Sequence, residues 1–213
     1  MIRITMDIKD NFYKLGLESI LDDILTTEFN KQMSYSHGLF FSNINSADIT
    51  ILSLCNGEVQ LCQPFLANLN HGLLIVLTDT NTPKTNNLPL CCRNITYINT
   101  SHTIEEVKNI LTSKIKYYLE NGKEERFCIS KSCNFWYVNY RQKSFLYNLI
   151  AHEKPLKIAK ELTVSPREIY SKKRSLMNRF GIKTDCELVS LMNRFIFWMN
   201  IYQEKSYYCC WHR

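Results

Sequence analysis

Residues 156–181 read LKIAKELTVSPREIYSKKRSLMNRFG, and this stretch decides the fold of the carboxyl-terminal part of the chain. Apolar side chains recur at helical spacing through residues 156–162, which predicts a short amphipathic helix. A second helix is predicted over residues 166–180. The connection of residues 163–165 is as short as those that join the two helices of a helix-turn-helix motif. The stretch therefore predicts such a motif.

Capping residues set the limits of the second predicted helix. Ser165 suits the N-cap, Pro166 suits the first helical position, and Glu168 is correctly spaced to close a capping box. Gly181 is a natural left-handed terminator. Thr184 and Glu187 repeat the same capping pattern, which predicts that another helix begins there.

The second helix has two different faces. Ile169, Leu176 and Phe180, with Met177 at the edge, are predicted to pack against the first helix. A cationic outer face of this kind fits the major groove of DNA. The residues predicted to contact base edges are Tyr170, Ser171 and Arg174. The residues predicted to contact phosphates are Lys157, Ser165, Arg167, Lys172, Lys173 and Arg179.

Charge is distributed unevenly along the chain. Residues 138–213 hold 14 basic and 6 acidic side chains, a balance of +8, whereas residues 1–137 hold 12 and 14, a balance of −2. This asymmetry indicates that the second part meets a polyanion. A solvated lysine-rich helix face is the plainer alternative, as is a helical module that binds protein without DNA.

Residues 138–189 resemble the LuxR/NarL (FixJ)-type DNA-binding domain in a register without gaps. The matching motifs are Val138-Asn-Tyr-Arg141-Gln142, Lys157-Ile158-Ala159, Leu162-Thr-Val164-Ser165 and Arg179-Phe180-Gly181-Ile182. The resemblance implies an all-α, four-helix LuxR-type helix-turn-helix domain. Glu168-Ile169-Tyr170 stands where the family has Thr-Val-Lys, so the family's base preferences are not carried over.

The first part of the chain alternates short apolar runs with helical patterns. Runs at residues 2–6, 48–54, 72–78 and 95–99, with a weaker one near residues 33–35, predict strands of a parallel sheet. Thr103 and Glu106 form a capping box that opens a long amphipathic helix. We therefore expect an α/β domain with a parallel five-stranded sheet.

This α/β pattern resembles the receiver domain that the same family joins to its helix-turn-helix. Receivers hold Mg²⁺ on an acidic pair and accept phosphate on an aspartate. The resemblance places Ile8 and Lys9 at the acidic pair and Ser53 at the acceptor; Thr78 keeps the switch hydroxyl and Thr100 replaces the lysine. We predict a degenerate receiver, not controlled by aspartyl phosphorylation. The architecture is similar to auxiliary, Rcs-type activators of capsule or fimbrial genes.

Helix-turn-helix proteins of this size commonly read two half-sites as dimers. The residues predicted to form a dimer interface are Leu188, Leu191, Met192, Phe195 and Trp198. The expected partners are promoter DNA, a second copy or a response regulator, and RNA polymerase. The expected domain limits are residues 1–120, a linker at 121–137, the DNA-binding domain at 138–200 and a tail at 201–213.

Other functional classes receive less support from the sequence. No apolar run is long enough to cross a membrane and no signal-peptide pattern opens the chain, so we expect a cytoplasmic protein that associates with the nucleoid on binding DNA. The nine cysteines match no standard zinc spacing, and no catalytic signature surrounds Cys55, Cys62, His71 or His102. We predict no cofactor, metal or catalytic residue. A small-molecule-binding first domain stays open as an alternative.

Overall fold

The computed structural model describes residues 1–38, 40–54, 57–60, 72–79, 95–122, 145, 148 and 155–203. The chain divides into two compact units. The first comprises Met1–Leu54 and Gln63–Ile129, and the second comprises Cys55–Cys62 and Ser130–Arg213. The predicted linker lies almost wholly outside the described residues, as does most of the predicted tail.

The first unit is built on a parallel five-stranded sheet, which confirms the predicted fold class. Its strands are β1 (Ile2–Asp7), β2 (Met33–His37), β3 (Ile49–Leu54), β4 (Leu73–Thr78) and β5 (Thr96–Asn99). They lie in the order β2-β1-β3-β4-β5, and every neighbouring pair is parallel. The described helices are α1 (Asn11–Asp23), extended by a π-helical turn (Ile24–Glu28), α2 (Phe41–Ser46) and α3 (Ile104–Asn121).

Burial explains why these apolar runs become central strands. The β3 and β4 side chains are largely buried on both faces, as expected when helices cover both sides of a parallel sheet. On α3, Val107, Leu111 and Ile115 pack into the core of this unit, as the helical spacing predicts. The Thr103–Glu106 capping box is present. The hydrogen bond from the Thr103 backbone lowers the pKa of the Glu106 carboxyl most, and the hydrogen bond from the Thr103 hydroxyl lowers it further.

Besides a short 3-10 helix (Glu58–Gln60), the second unit contains three described α-helices, α4 (Pro155–Leu162), α5 (Pro166–Arg179) and α6 (Asp185–Gln203). A single core joins them, and its buried members are Phe145, Ile158, Ala159, Ile169, Phe180, Ile182, Leu188, Leu191 and Met192. The first helix of the expected four falls mostly outside the described residues and stays a prediction. Among the described helices, none is long and apolar enough to span a membrane.

Two similar helix ends fix the directions of α4 and α5. Thr163 follows α4 with φ +53°, and the Val164 amide donates to the Ala159 carbonyl at 3.0 Å. Gly181 follows α5 with φ +63°, and the Ile182 amide donates to the Met177 carbonyl at 2.8 Å. Both are Schellman ends with a left-handed residue after the helix. Thr163 therefore holds a backbone conformation that glycine would adopt at less cost.

A short segment following β3 in sequence also belongs to the second unit, a division that the predicted domain limits did not include. A Cβ placed on Gly57, whose φ is +80°, would lie 3.0 Å from the Phe180 carbonyl oxygen. Glu58 is fully buried, and its Oε1 lies 3.2 Å from Nε of Arg194 on α6. Glycine is required at position 57 both for its φ and for the close approach to Phe180.

Candidate nucleic-acid interface

The recognition-helix candidate, α5, begins with the predicted capping box. The Glu168 amide donates to the Ser165 hydroxyl at 3.2 Å, and the Ser165 amide donates to Glu168 Oε2 at 3.1 Å. Pro166 occupies the first helical position, where its missing amide costs nothing. The first turn of α5 is therefore held in place by its own side chains.

One face of α5 is anchored in the core of the second unit. Ile169 and Phe180 are buried there, and Leu176 and Met177 are partly buried against the same cluster. These are the residues predicted to face inward. Because they hold one side of the helix, the opposite side is fixed in its orientation toward solvent.

The opposite face carries polar and cationic side chains. Tyr170, Ser171 and Arg174, the predicted base contacts, are all exposed. Residues at i, i+4, i+7 and i+11 share one helix face. We name this row the outward stripe, and its members are Arg167, Ser171, Arg174 and Asn178, all exposed.

The outward stripe changes the sequence interpretation in two ways. Arg167, predicted to contact phosphate, points in the same direction from the helix axis as Ser171 and Arg174, so it belongs to the same face. Asn178 was missed, although extending the helical period by one turn from Arg174 would have found it. Tyr170 lies at one edge of the stripe and is 59% exposed.

The residues predicted to contact phosphates differ in their exposure to solvent. Lys157, Lys172 and Arg179 are exposed, as expected for such a role. Lys173 differs from them, because only 24% of its side chain is exposed and its ammonium group pairs with Asp185. Ser165 is exposed, and its amide and hydroxyl both bind Glu168.

Burial also corrects the predicted dimer interface. Leu188, Leu191 and Met192 are 2%, 0% and 0% exposed and belong to the core of the second unit. A side chain that is already buried within one copy has no area to offer a second copy. Phe195 and Trp198 lie on α6, but their side chains are outside the described part of the structure.

The charge of this region favours an anionic partner. Residues 155–181 carry seven basic and two acidic side chains, and Asp185 offsets one lysine. Arg179 also lies over the Phe180 ring, 5.9 Å from its centroid, a cation–π contact at the end of α5. The helix therefore presents a net positive surface on the side opposite its buried face.

The first unit has a second candidate site at the carboxyl edge of its sheet. Asp7 pairs with Leu52, Ser53 pairs with Leu77, and Thr78 pairs with Asn99. The strand ends therefore bring together the positions at which the resemblance places receiver chemistry. Across this edge the Thr100 hydroxyl donates to Asp79 Oδ1 at 3.1 Å, so Asp79 is bound by a neutral partner rather than a lysine.

Metal-binding chemistry is not assembled at this edge from the described residues. Ile8 and Lys9 follow Asp7, and Ser53 occupies the position predicted for the acceptor. Among the described ranges, no group of three or more His, Cys, Asp or Glu side chains is arranged to hold a metal ion.

Comparisons with known proteins bear on the fold. No protein-family model matches the chain, and no curated protein sequence matches it. A solved complex of the two-component response regulator RcsB with DNA is similar, with a TM-score of 0.50 at 15% identity, covering 90% of this chain and 98% of that chain. RcsB from Salmonella enterica serovar Typhimurium bound to promoter P1flhDC also gives 0.50 at 15% identity, covering 90% and 97%. Full-length FixJ from B. japonicum gives 0.37 at 14% identity, covering 92% and 97%. This chain shares the fold of LuxR/NarL-type response regulators, in which a receiver-type α/β domain is joined to a helix-turn-helix domain.

Proposed function

We propose that this chain is a sequence-specific, DNA-binding transcription regulator that places α5 in the major groove. The observation that carries the proposal is the outward stripe, a polar and cationic row on a capped helix whose opposite face is buried. Side chains of this kind reach base edges and phosphates together. RcsB, with which the fold is shared, is solved as a complex with DNA.

The finer parts of the proposal concern regulation. We propose an activator of capsule or other surface-structure genes, bound to its promoter and contacting RNA polymerase in the cytoplasm, nucleoid-associated when DNA-bound. The regulator acts as a homodimer or with a response regulator, through the part of α6 that carries Phe195 and Trp198. It needs no catalytic residue, cofactor or metal.

The proposed regulation does not use aspartyl phosphorylation. Incubation with acetyl phosphate and Mg²⁺ should leave the intact mass of the protein unchanged, because a serine hydroxyl stands at the acceptor position and lacks the ionised oxygen that attacks phosphorus. The Ser53→Ala variant serves as the control and should bind DNA like the parent chain. A phosphate adduct that appears in the parent and disappears in Ser53→Ala would contradict this part of the proposal.

DNA binding itself is tested by its dependence on salt. Each phosphate contact that is lost should reduce the slope of log K against log salt by about 0.9. Lys172→Ala should therefore flatten the slope by about that amount, since Lys172 is exposed on α5. Fluorescence anisotropy with a labelled duplex at a series of salt concentrations measures the slope.

Lys173→Ala provides the matched control for this experiment. Its ammonium group is already paired with Asp185, so its loss should change the slope much less than the loss of its neighbour. Binding of duplex DNA that does not depend on salt would argue against the proposed function. Equal slopes for Lys172→Ala and the parent would remove Lys172 from the interface.

A further inference from the structure

One residue of α5 does not fit a purely cationic DNA surface. Glu168 lies in the first turn and is exposed. It stands where the LuxR/NarL-type domain, which this sequence resembles, has threonine. A carboxylate is repelled by phosphates, so a contact between Glu168 and DNA would be with a base rather than with the backbone.

The capping box holds this carboxylate in one place. The Ser165 amide lies 3.1 Å from Glu168 Oε2, and the Ser165 hydroxyl lies 3.5 Å from the same oxygen. In return the Glu168 amide donates to the Ser165 hydroxyl. These contacts use Oε2. A carboxylate can accept about four hydrogen bonds, so capacity to accept is left over.

The position of Glu168 suits contact with bases. In helix-turn-helix proteins the first residues of the recognition helix reach the base edges. Glu168 directly follows Arg167 of the outward stripe, and it precedes Ser171 of the stripe by three residues, which is close to one helical turn. The only hydrogen-bond donors that bases present in the major groove are amines. Glu and Asp side chains accept a hydrogen bond from the N4 amine of cytosine.

Resting on the proposed function, we infer that Glu168 reads cytosine in the major groove through its carboxylate, while the same group caps α5. The cap fixes the side chain before DNA arrives, so little rotamer freedom is lost on binding. The negative charge also weakens binding to any site that lacks the amine. Glu168 thereby increases specificity and lowers affinity for random DNA.

Selection of binding sites from random duplexes tests this inference. The parent chain should enrich cytosine at one fixed position of each half-site. Glu168→Gln should reduce the preference for cytosine at that position roughly tenfold and favour adenine, because glutamine pairs with adenine N6 and N7. The same variant should bind random DNA more tightly than the parent, because one negative charge is gone. Glutamine also closes a capping box, so the helix end stays intact.

Two further variants separate base recognition from capping. Ser165→Ala removes the N-cap hydroxyl but keeps the carboxylate, so it should lower the stability of the protein and retain the preference for cytosine. Glu168→Ala should lose the preference for cytosine without gaining a preference for adenine. Circular dichroism confirms that each variant is folded before selection begins.

The outcomes distinguish failure of this inference from failure of the proposed function. If the parent chain enriches no sequence, the proposed function itself is wrong. If the parent enriches a site and Glu168→Gln enriches the same bases at every position, only the role of Glu168 is wrong. Loss of cytosine in Ser165→Ala to the same extent as in Glu168→Gln would assign the effect to the helix end and overturn the inference.

Discussion

Replacing Arg174 with alanine should weaken binding to the preferred DNA site by about 1–3 kcal/mol, while binding to random DNA changes much less. The reason is the place of Arg174 in the outward stripe, between Ser171 and Asn178 and opposite the buried Ile169. Arginine pairs with guanine through two hydrogen bonds, and no other base offers the same two acceptors. The variant should therefore also accept more bases at one position of the site.

Titrations of the specific site and of a scrambled duplex, at one salt concentration, measure both effects. Arg179→Ala is the matched control, since it removes an exposed arginine from the same helix but outside the outward stripe. Its loss should weaken both duplexes by similar amounts, as expected for a phosphate contact. The same behaviour in Arg174→Ala would show that Arg174 contacts only the backbone.

Local signals made the limits of α5 and the direction of its faces predictable. The Ser165–Glu168 capping box and the left-handed Gly181 both depend on residues close together in the sequence. The inward face likewise follows from a period of 3.6 residues, and Ile169 and Phe180 are buried as that period requires. The five strands were predictable for a related reason, because buried parallel strands are short apolar runs.

Features that depend on distant contacts were not predictable. Lys173 looked like its neighbour Lys172, and only the turn after α5 brings Asp185 to it from 12 residues further along. Gly57 and Glu58 carry no pattern that would place them beside Phe180 and Arg194. The helix α2 (Phe41–Ser46) was missed because six residues are too short for a helical period to emerge.

The apolar stripe of α6 shows the same limit, because helical spacing indicates which residues share a face and not what covers that face. Leu191 and Met192 were predicted to join a second chain, whereas they fill the core of one. Core and interface side chains have the same chemistry, and only the packing of the other helices distinguishes them. The difference has a measurable consequence.

Leu191→Ala should lower the free energy of unfolding of the second unit by about 2–5 kcal/mol, because a fully buried leucine loses both its transfer free energy and its packing. The loss should not depend on protein concentration, whereas stability that comes from a dimer does. Urea unfolding at two well-separated protein concentrations measures this. Tryptophan fluorescence reports on the second unit alone, since Trp136, Trp198 and Trp211 all belong to it.

Leu156→Ala is the matched control, because Leu156 is a leucine of the same unit that is 67% exposed. Its replacement should change the free energy of unfolding by no more than about 0.5 kcal/mol.

Analytical sedimentation measures the oligomeric state and so distinguishes a core residue from an interface residue. Phe195→Glu, on the part of α6 proposed to join two chains, should dissociate the dimer and leave the monomer folded. If Leu191→Ala instead dissociates the dimer with unchanged monomer stability, Leu191 lies at the interface and its assignment to the core is wrong.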